Sequence, residues 1–167
     1  VSEMIHASSL IFDVIMDKSD LRRGKPSVPA KFGLHNAQLA AIHLISRAFD
    51  IAKELPNSYL INSGMADTIN QMLMGQEADI KKYPVDEASL MRTHYLKSGR
   101  LMQFCGELGF YCAKEDNKEL LETLKQGLKH LSLAYQIRDD IADTLPSAIT
   151  GKPKNQDREK ITAVDIY

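Results

Sequence analysis

Two groups of aspartates in this chain have the spacing and chemistry to hold a metal ion. The first is Asp13-Val14-Ile15-Met16-Asp17, followed by Asp20 and the basic run Leu21-Arg22-Arg23-Gly24-Lys25-Pro26. The second is Asp139-Asp140-Ile141-Ala142-Asp143, preceded by Tyr135-Gln136. Residues four apart lie one above the other on a helix, so Asp13 and Asp17 share a face. Gln136, Asp140 and Asp143 share another, with Asp139 on its flank. Like charges at this spacing destabilise a helix by a few tenths of a kcal/mol, roughly 0.2–0.5, and a cation compensates for them. Carboxylate oxygens suit hard ions, and Mg²⁺ normally takes one or two of them together with phosphate oxygens. The expected cofactor is therefore Mg²⁺ and the expected ligand a diphosphate. Arg22, Arg23, Lys25, Lys97, Lys152 and Lys160 can add charge-assisted bonds to phosphate oxygens. Either aspartate group alone is more often a solvated helix face. The combination, with Arg-Arg-Gly-Lys-Pro after the first and Gly151-Lys152 after the second, is far more specific.

Helices must position these groups, because strand signals are scarce: no sustained alternation of period two and no Asn-Gly or Asp-Gly hairpin turn occurs. Helical periodicity runs throughout. The pattern predicts helices over 2–17, 36–54, 58–82, 86–113 and one continuing to about Thr144, with a last short helix near Asp157. Asp116 and Glu119 form a capping-box pattern before the helix that carries Leu124, Leu128, Leu131 and Tyr135 as its core stripe. The 36–54 segment is apolar nearly all round and reads as buried on most faces. It is the expected surface for a homodimer, or for a heteromer with a paralogous subunit. The fold class is all-α, an antiparallel helical bundle forming a single domain over 1–167, and the chain reads as incomplete at both ends.

The 167 residues suffice for one hydrophobic core. Lys and Arg number 21 against 22 Asp and Glu, so no global charge points to nucleic acid or an anionic membrane. No apolar run approaches the roughly 18 residues of a membrane span. Cys105 and Cys112 lie about 10 Å apart on a helix, too far for a disulfide. They read as reduced, buried thiols of a cytoplasmic protein. The histidines 6, 35, 43, 94 and 130 show no paired metal spacing. His6 and His43 read as core or hydrogen-bonded residues.

The first motif, from His6-Ala7-Ser8-Ser9-Leu10-Ile11-Phe12-Asp13 through Asp17 to Lys25-Pro26, resembles the first aspartate-rich motif of trans-isoprenyl (polyprenyl) diphosphate synthases. Gly75-Gln76-Glu77-Ala78-Asp79, Lys97-Ser98-Gly99 and Tyr135 to Asp143 resemble further motifs of that family, in the same order. The resemblance implies the isoprenoid synthase fold and a Mg²⁺-dependent condensation of isopentenyl diphosphate with an allylic diphosphate. It implies that Asp13, Asp17, Asp139, Asp140 and Asp143 hold metal, and that Asp13, Asp17, Asp139, Lys97 and Arg22 are catalytic. It further implies that Arg22, Arg23, Gln76, Lys97, Ser98, Gln136, Lys152 and Lys160 bind substrate, with Asp79 behind them. Ser8 and Ser9 stand where the family's chain-length wall lies. Their small size implies a product longer than farnesyl, or simple packing of small residues.

Four departures bear on this. Val14 stands where the family's first motif has its second Asp. Phe12 replaces a common His. Ala41-Ile42 replaces Gly-Asp. The family's N-terminal Gly-Gly-Lys-x-x-Arg-Pro element is not in the chain. Two alternatives follow: a weak or inactive regulatory subunit of a heteromeric synthase, or a prenyltransferase or cyclase using only an allylic diphosphate.

Overall fold

The computed structural model describes residues 1–82, 85–145 and 161–166. The elements are α1 Ser2–Met16, β1 Leu21–Arg22, β2 Lys25–Pro26, α2 Val28–Phe32, α3 Leu34–Ala52, α4 Ser58–Ile80, α5 Glu87–His94, a π-helical turn Tyr95–Gly99, α6 Arg100–Cys112, α7 Lys118–Asp143 and α8 Ala163–Ile166. The all-α expectation holds, with one addition. The chain leaving α1 makes a minimal antiparallel hairpin in which Leu21 faces Pro26 and Arg22 faces Lys25. Its turn is Arg23-Gly24, both at positive φ (52° and 72°), the backbone of a type I′ turn.

The core forms where small residues let helices close in. On α3 the buried positions are Ala37, Ala41, Ala48 and Ala52, one stripe at helical spacing. Against it α1 sets Ile5, Ser8 and Ile11, and the Ser8 hydroxyl donates to the Ala41 carbonyl at 2.9 Å. Ile5, Ala48, Ala52, Ile61, Met65, Leu101 and Phe104 join α1, α3, α4 and α6 in one apolar cluster. The far side of α3 is open: Leu39 is 66% exposed and Ile42 58%. Within this chain, then, α3 is buried on its alanine face alone, not on most faces.

The helix expected over 86–113 is interrupted. Asp86 caps α5 through a reciprocal pair, its carboxylate accepting the Ser89 N–H while Ser89 Oγ accepts the Asp86 N–H. One wider turn, Tyr95–Gly99, then separates α5 from α6. Such π-turns concentrate at functional sites, and this one contains Lys97-Ser98-Gly99. The cap of α7 also differs from expectation. Asn117, not Asp116, accepts the Leu120 N–H at 3.1 Å. On α7, Leu124 and Leu128 pack at Gly106, but Leu131 and Tyr135 are exposed. Ser132 takes the buried place instead, against Gly99. Cys105 is exposed and Cys112 half-buried, because α6 buries Leu101, Phe104 and Phe110 on its other side. His43 is also exposed, and His6 lies partly open, 3.5 Å from Glu3. Among the described residues no helix is long and apolar enough to cross a membrane.

Candidate active site

Of the candidate residues named from sequence, the two acidic groups, Gln76, Lys97 and Ser98 fall near the ends of α1, α4 and α7 and on the π-turn between α5 and α6, while Ser8 and Ser9 lie within α1 and Arg22 and Arg23 on the hairpin. Asp13 and Asp17 occupy the last turn of α1 and its cap; Asp139, Asp140 and Asp143 occupy the last turns of α7. A relay of contacts ties these ends together. Gln76, buried on α4, approaches Met16 of α1, its Nε2 lying 3.9 Å from the Met16 sulfur. One turn further along α4, Asp79 accepts a 2.6 Å bond from Lys97 Nζ of the π-turn. One turn before Lys97, His94 Nε2 lies 3.1 Å from Asp140 Oδ2 on α7. Three contacts, joined by short steps along the chain from Gln76 to Asp79 and from His94 to Lys97, thus link Met16, next to Asp17, to Asp140.

Gly75 explains how α4 comes so near the π-turn. A Cβ at this position would lie 2.3 Å from the Lys97 nitrogen and 2.7 Å from the Leu96 carbonyl carbon. Only a glycine fits here, and the contact is backbone to backbone. Gly99 plays the matching part toward α7, where a Cβ would lie 2.6 Å from Ser132 Oγ.

Beneath the π-turn lies a buried polar network. Arg100 bonds Glu107 at 2.9 Å and reaches Asp67 at 3.3 Å. The Tyr95 hydroxyl donates to Gln103 at 2.6 Å, and Gln103 donates to the Lys125 carbonyl at 3.0 Å. Burial pushes the Tyr95 phenol above its ordinary pKa, so it stays a protonated donor. Tyr95 opens the π-turn, Arg100 follows it, and both reach Gln103. The network therefore holds the segment that carries Lys97.

The hairpin lifts Arg22, Arg23 and Lys25 into solvent. Below it is a cavity of about 500 Å³ lined by Ala7, Leu10, Ile11, Val14 and Val28 under the three cations. Val14 is buried on this floor. Position 14 lies about 100° around the helix from Asp13, away from the Asp13/Asp17 side. Ser8 is sealed between α1 and α3, and the Ser9 hydroxyl donates to the His6 carbonyl. Ser98 and Gln136 are half-buried. Lys152, Lys160 and the helix expected near Asp157 lie outside the described residues.

The candidate ligand set fits Mg²⁺ in kind, since all five side chains are carboxylates. Among the described residues no three His, Cys, Asp or Glu side chains converge into a ready cage. Mg²⁺ that shares its shell with phosphate oxygens takes only one or two carboxylates, so a ready cage is not required. Asp140 is engaged within the fold, its Oδ2 accepting bonds from both His94 and the Ala163 N–H. Sequence reasoning passed over His94, Arg100 and Glu107. A signal for His94 was present: it lies one helical turn before Lys97, on nearly the same face.

Comparison with known proteins places the chain in a family. The family model described as Polyprenyl synthetase matches residues 1–166. The farnesyl diphosphate synthase of Escherichia coli is 35% identical, the match covering 94% of this chain and 57% of that protein. The geranylgeranyl diphosphate synthase of Pantoea ananas is 32% identical over 98% of this chain and 57% of its own. Among solved structures, geranylgeranyl pyrophosphate synthetase from Pyrococcus horikoshii superposes with a TM-score of 0.84 at 31% identity, covering 96% of this chain and 52% of that one. The chain thus spans little more than half the length of these relatives. Motifs, helical architecture and the match along 1–166 agree, and the chain belongs to the polyprenyl synthetase family.

Proposed function

We propose that this chain supplies the diphosphate-binding part of a Mg²⁺-dependent trans-prenyltransferase that joins isopentenyl diphosphate to an allylic diphosphate. The observation that supports this reading is the set of three contacts, Met16–Gln76, Lys97–Asp79 and His94–Asp140, which link the segments carrying the two acidic groups. In the reaction the allylic C–O bond breaks and diphosphate leaves with the electron pair. The double bond of isopentenyl diphosphate attacks the resulting cation, and a proton is then lost. Bound Mg²⁺ would neutralise the charge that develops on the departing diphosphate.

The protein's own part is to bind and orient. Asp13 and Asp17 on α1 and Asp139 and Asp143 on α7 are the carboxylates that would hold the metal. Lys97, aimed by its bond to Asp79, and Arg22 meet the allylic diphosphate, where fixed cations act most strongly as charge builds up. Arg23, at the hairpin tip, meets isopentenyl diphosphate. Gln76, Ser98 and Gln136 line the first-substrate position, and Lys152 and Lys160 complete the cationic set. Ser9, half-buried on α1, places no bulky side chain on its side of the helix, which favours a product longer than farnesyl, while Ser8 packs between α1 and α3. The open apolar side of α3, with Leu39 and Ile42, supports a homodimer.

The test is elongation by the full-length protein of dimethylallyl, geranyl or farnesyl diphosphate with radiolabelled isopentenyl diphosphate and Mg²⁺. Products longer than farnesyl are expected. No elongation from any primer would eliminate the reading.

A further inference from the structure

His94 is the one histidine among the described residues with a close bond to an acidic-motif carboxylate. Its side chain and that of Asp140 are each 11% exposed. An ionised carboxylate only accepts hydrogen bonds, so Nε2 carries the proton in this contact. The same oxygen of Asp140 accepts the Ala163 N–H at 2.7 Å. Ala163 opens α8, and that start is itself stiffened: the Thr162 N–H and hydroxyl both bond Asp165, at 2.8 and 2.7 Å. Asp140 therefore joins three elements, α5, α7 and α8.

The consequence follows from helical geometry. Asp143 lies about 40° around the axis of α7 from Asp139 and about 60° from Asp140, so the three occupy one broad side with Asp140 at its edge. Anything that fixes the direction of Asp140 fixes the roll of the last turns of α7. That roll decides where Asp139 and Asp143 point. Resting on the function proposed above, we infer that His94 is a positioning residue for the second acidic motif, holding Asp140 as the anchor by which Asp139 and Asp143 are turned toward the metal. Its role runs through Asp140 and not through contact with substrate. Groups that support a metal ligand from behind typically change metal affinity by 10–100-fold when lost.

The test uses the full-length protein and three forms: wild type, His94→Phe and His94→Gln. Mg²⁺ binding is measured by calorimetry with saturating inorganic diphosphate, alongside hydrogen exchange across 161–166 and the thermal midpoint. His94→Phe is expected to weaken Mg²⁺ binding about tenfold and to speed exchange in 161–166. His94→Gln carries an N–H that reaches the same oxygen, and it is expected to restore both to within about threefold of wild type, a rescue a purely packing role would not give. Unchanged Mg²⁺ affinity in His94→Phe overturns the inference, as does a Gln form as impaired as the Phe form. If His94→Phe fails to fold, His94→Asn, polar but too short to reach, replaces it; affinity equal to that of His94→Gln then overturns the inference. Wild type that binds no Mg²⁺ with diphosphate overturns both this inference and the proposed function. Wild-type binding with indifferent variants overturns this inference alone.

Discussion

Gly75→Ala is the sharpest perturbation of the scaffold. The added methyl would lie 2.3 Å from the Lys97 nitrogen and 2.7 Å from Lys97 Cα. Ordinary van der Waals contact begins near 3.4 Å, so α4 and the π-turn must separate by about 1 Å. The obstacle is backbone, and no side chain can rotate out of the way. Overpacking of this kind costs about 1–3 kcal/mol, offset by up to about 1 kcal/mol because alanine is the better helix former. A backbone obstacle belongs at the upper end of that range, so the net loss is about 2 kcal/mol, a fall in Tm of roughly 4–8 °C at this size. The same displacement moves Lys97, and a misplacement of about 1 Å at a reacting centre can cost about a hundredfold in rate. Gly109→Ala is the control: it also lies inside a helix, but nothing stands within 4 Å of its added methyl. Thermal unfolding and the elongation assay should show Gly109→Ala at least as stable as wild type and equally active. A Gly75→Ala protein as stable and as active as the Gly109→Ala protein would refute the close approach of α4 to the π-turn.

Further outcomes follow from the same structure. Arg100→Leu leaves Glu107 buried without its partner and should destabilise by about 3–5 kcal/mol in urea titration; the Arg100→Leu, Glu107→Leu double variant should recover part of that loss. Val14→Asp places a carboxylate in the cavity under Arg22, Arg23 and Lys25, away from Asp13 and Asp17, so the Mg²⁺ requirement for turnover should stay within about threefold; a tenfold improvement would contradict that geometry. The two Ser89 bonds hold the Asp86 carboxyl below its usual pKa. A lowered folded-state pKa means the cap stabilises fully above the ordinary aspartate value of about 3.9, and that the benefit is lost as pH falls through the folded value. Ser89→Ala should flatten this acid limb of the stability profile, and an unaltered limb would count against the cap.

The acidic motifs were legible because their spacing alone puts carboxylates on helix faces near helix ends, and the structure sets them on the last turns of α1 and α7. The helical class was equally legible from apolar periodicity. What escaped depends on partners distant in sequence or on local backbone form. His94 meets Asp140 across 46 residues, and nothing local marks that pairing. The π-turn is one widened turn inside an otherwise regular pattern, and periodicity averages over it. The hairpin is two residues a side, too short for alternation, and its turn uses Arg23-Gly24 in place of the commoner Asn-Gly. On α7, an apolar count favoured Leu131 and Tyr135 as core, but the tight approach at Gly99 admits only Ser132. Around α3 the even apolarity hid which face is inside, and the alanines were the signal: small side chains line the face where α1 comes close.

The account rests on both acidic helix ends acting on one bound diphosphate, and a double-substitution cycle reads this directly. The quantity is kcat/KM for elongation by wild type, Asp17→Asn, Asp139→Asn and the combined variant. Each single change should cost at least about a hundredfold, and the pair should cost far less than the product of the two, because residues sharing one ion cluster couple strongly. Losses that simply multiply, or an Asp139→Asn protein as active as wild type, would contradict it.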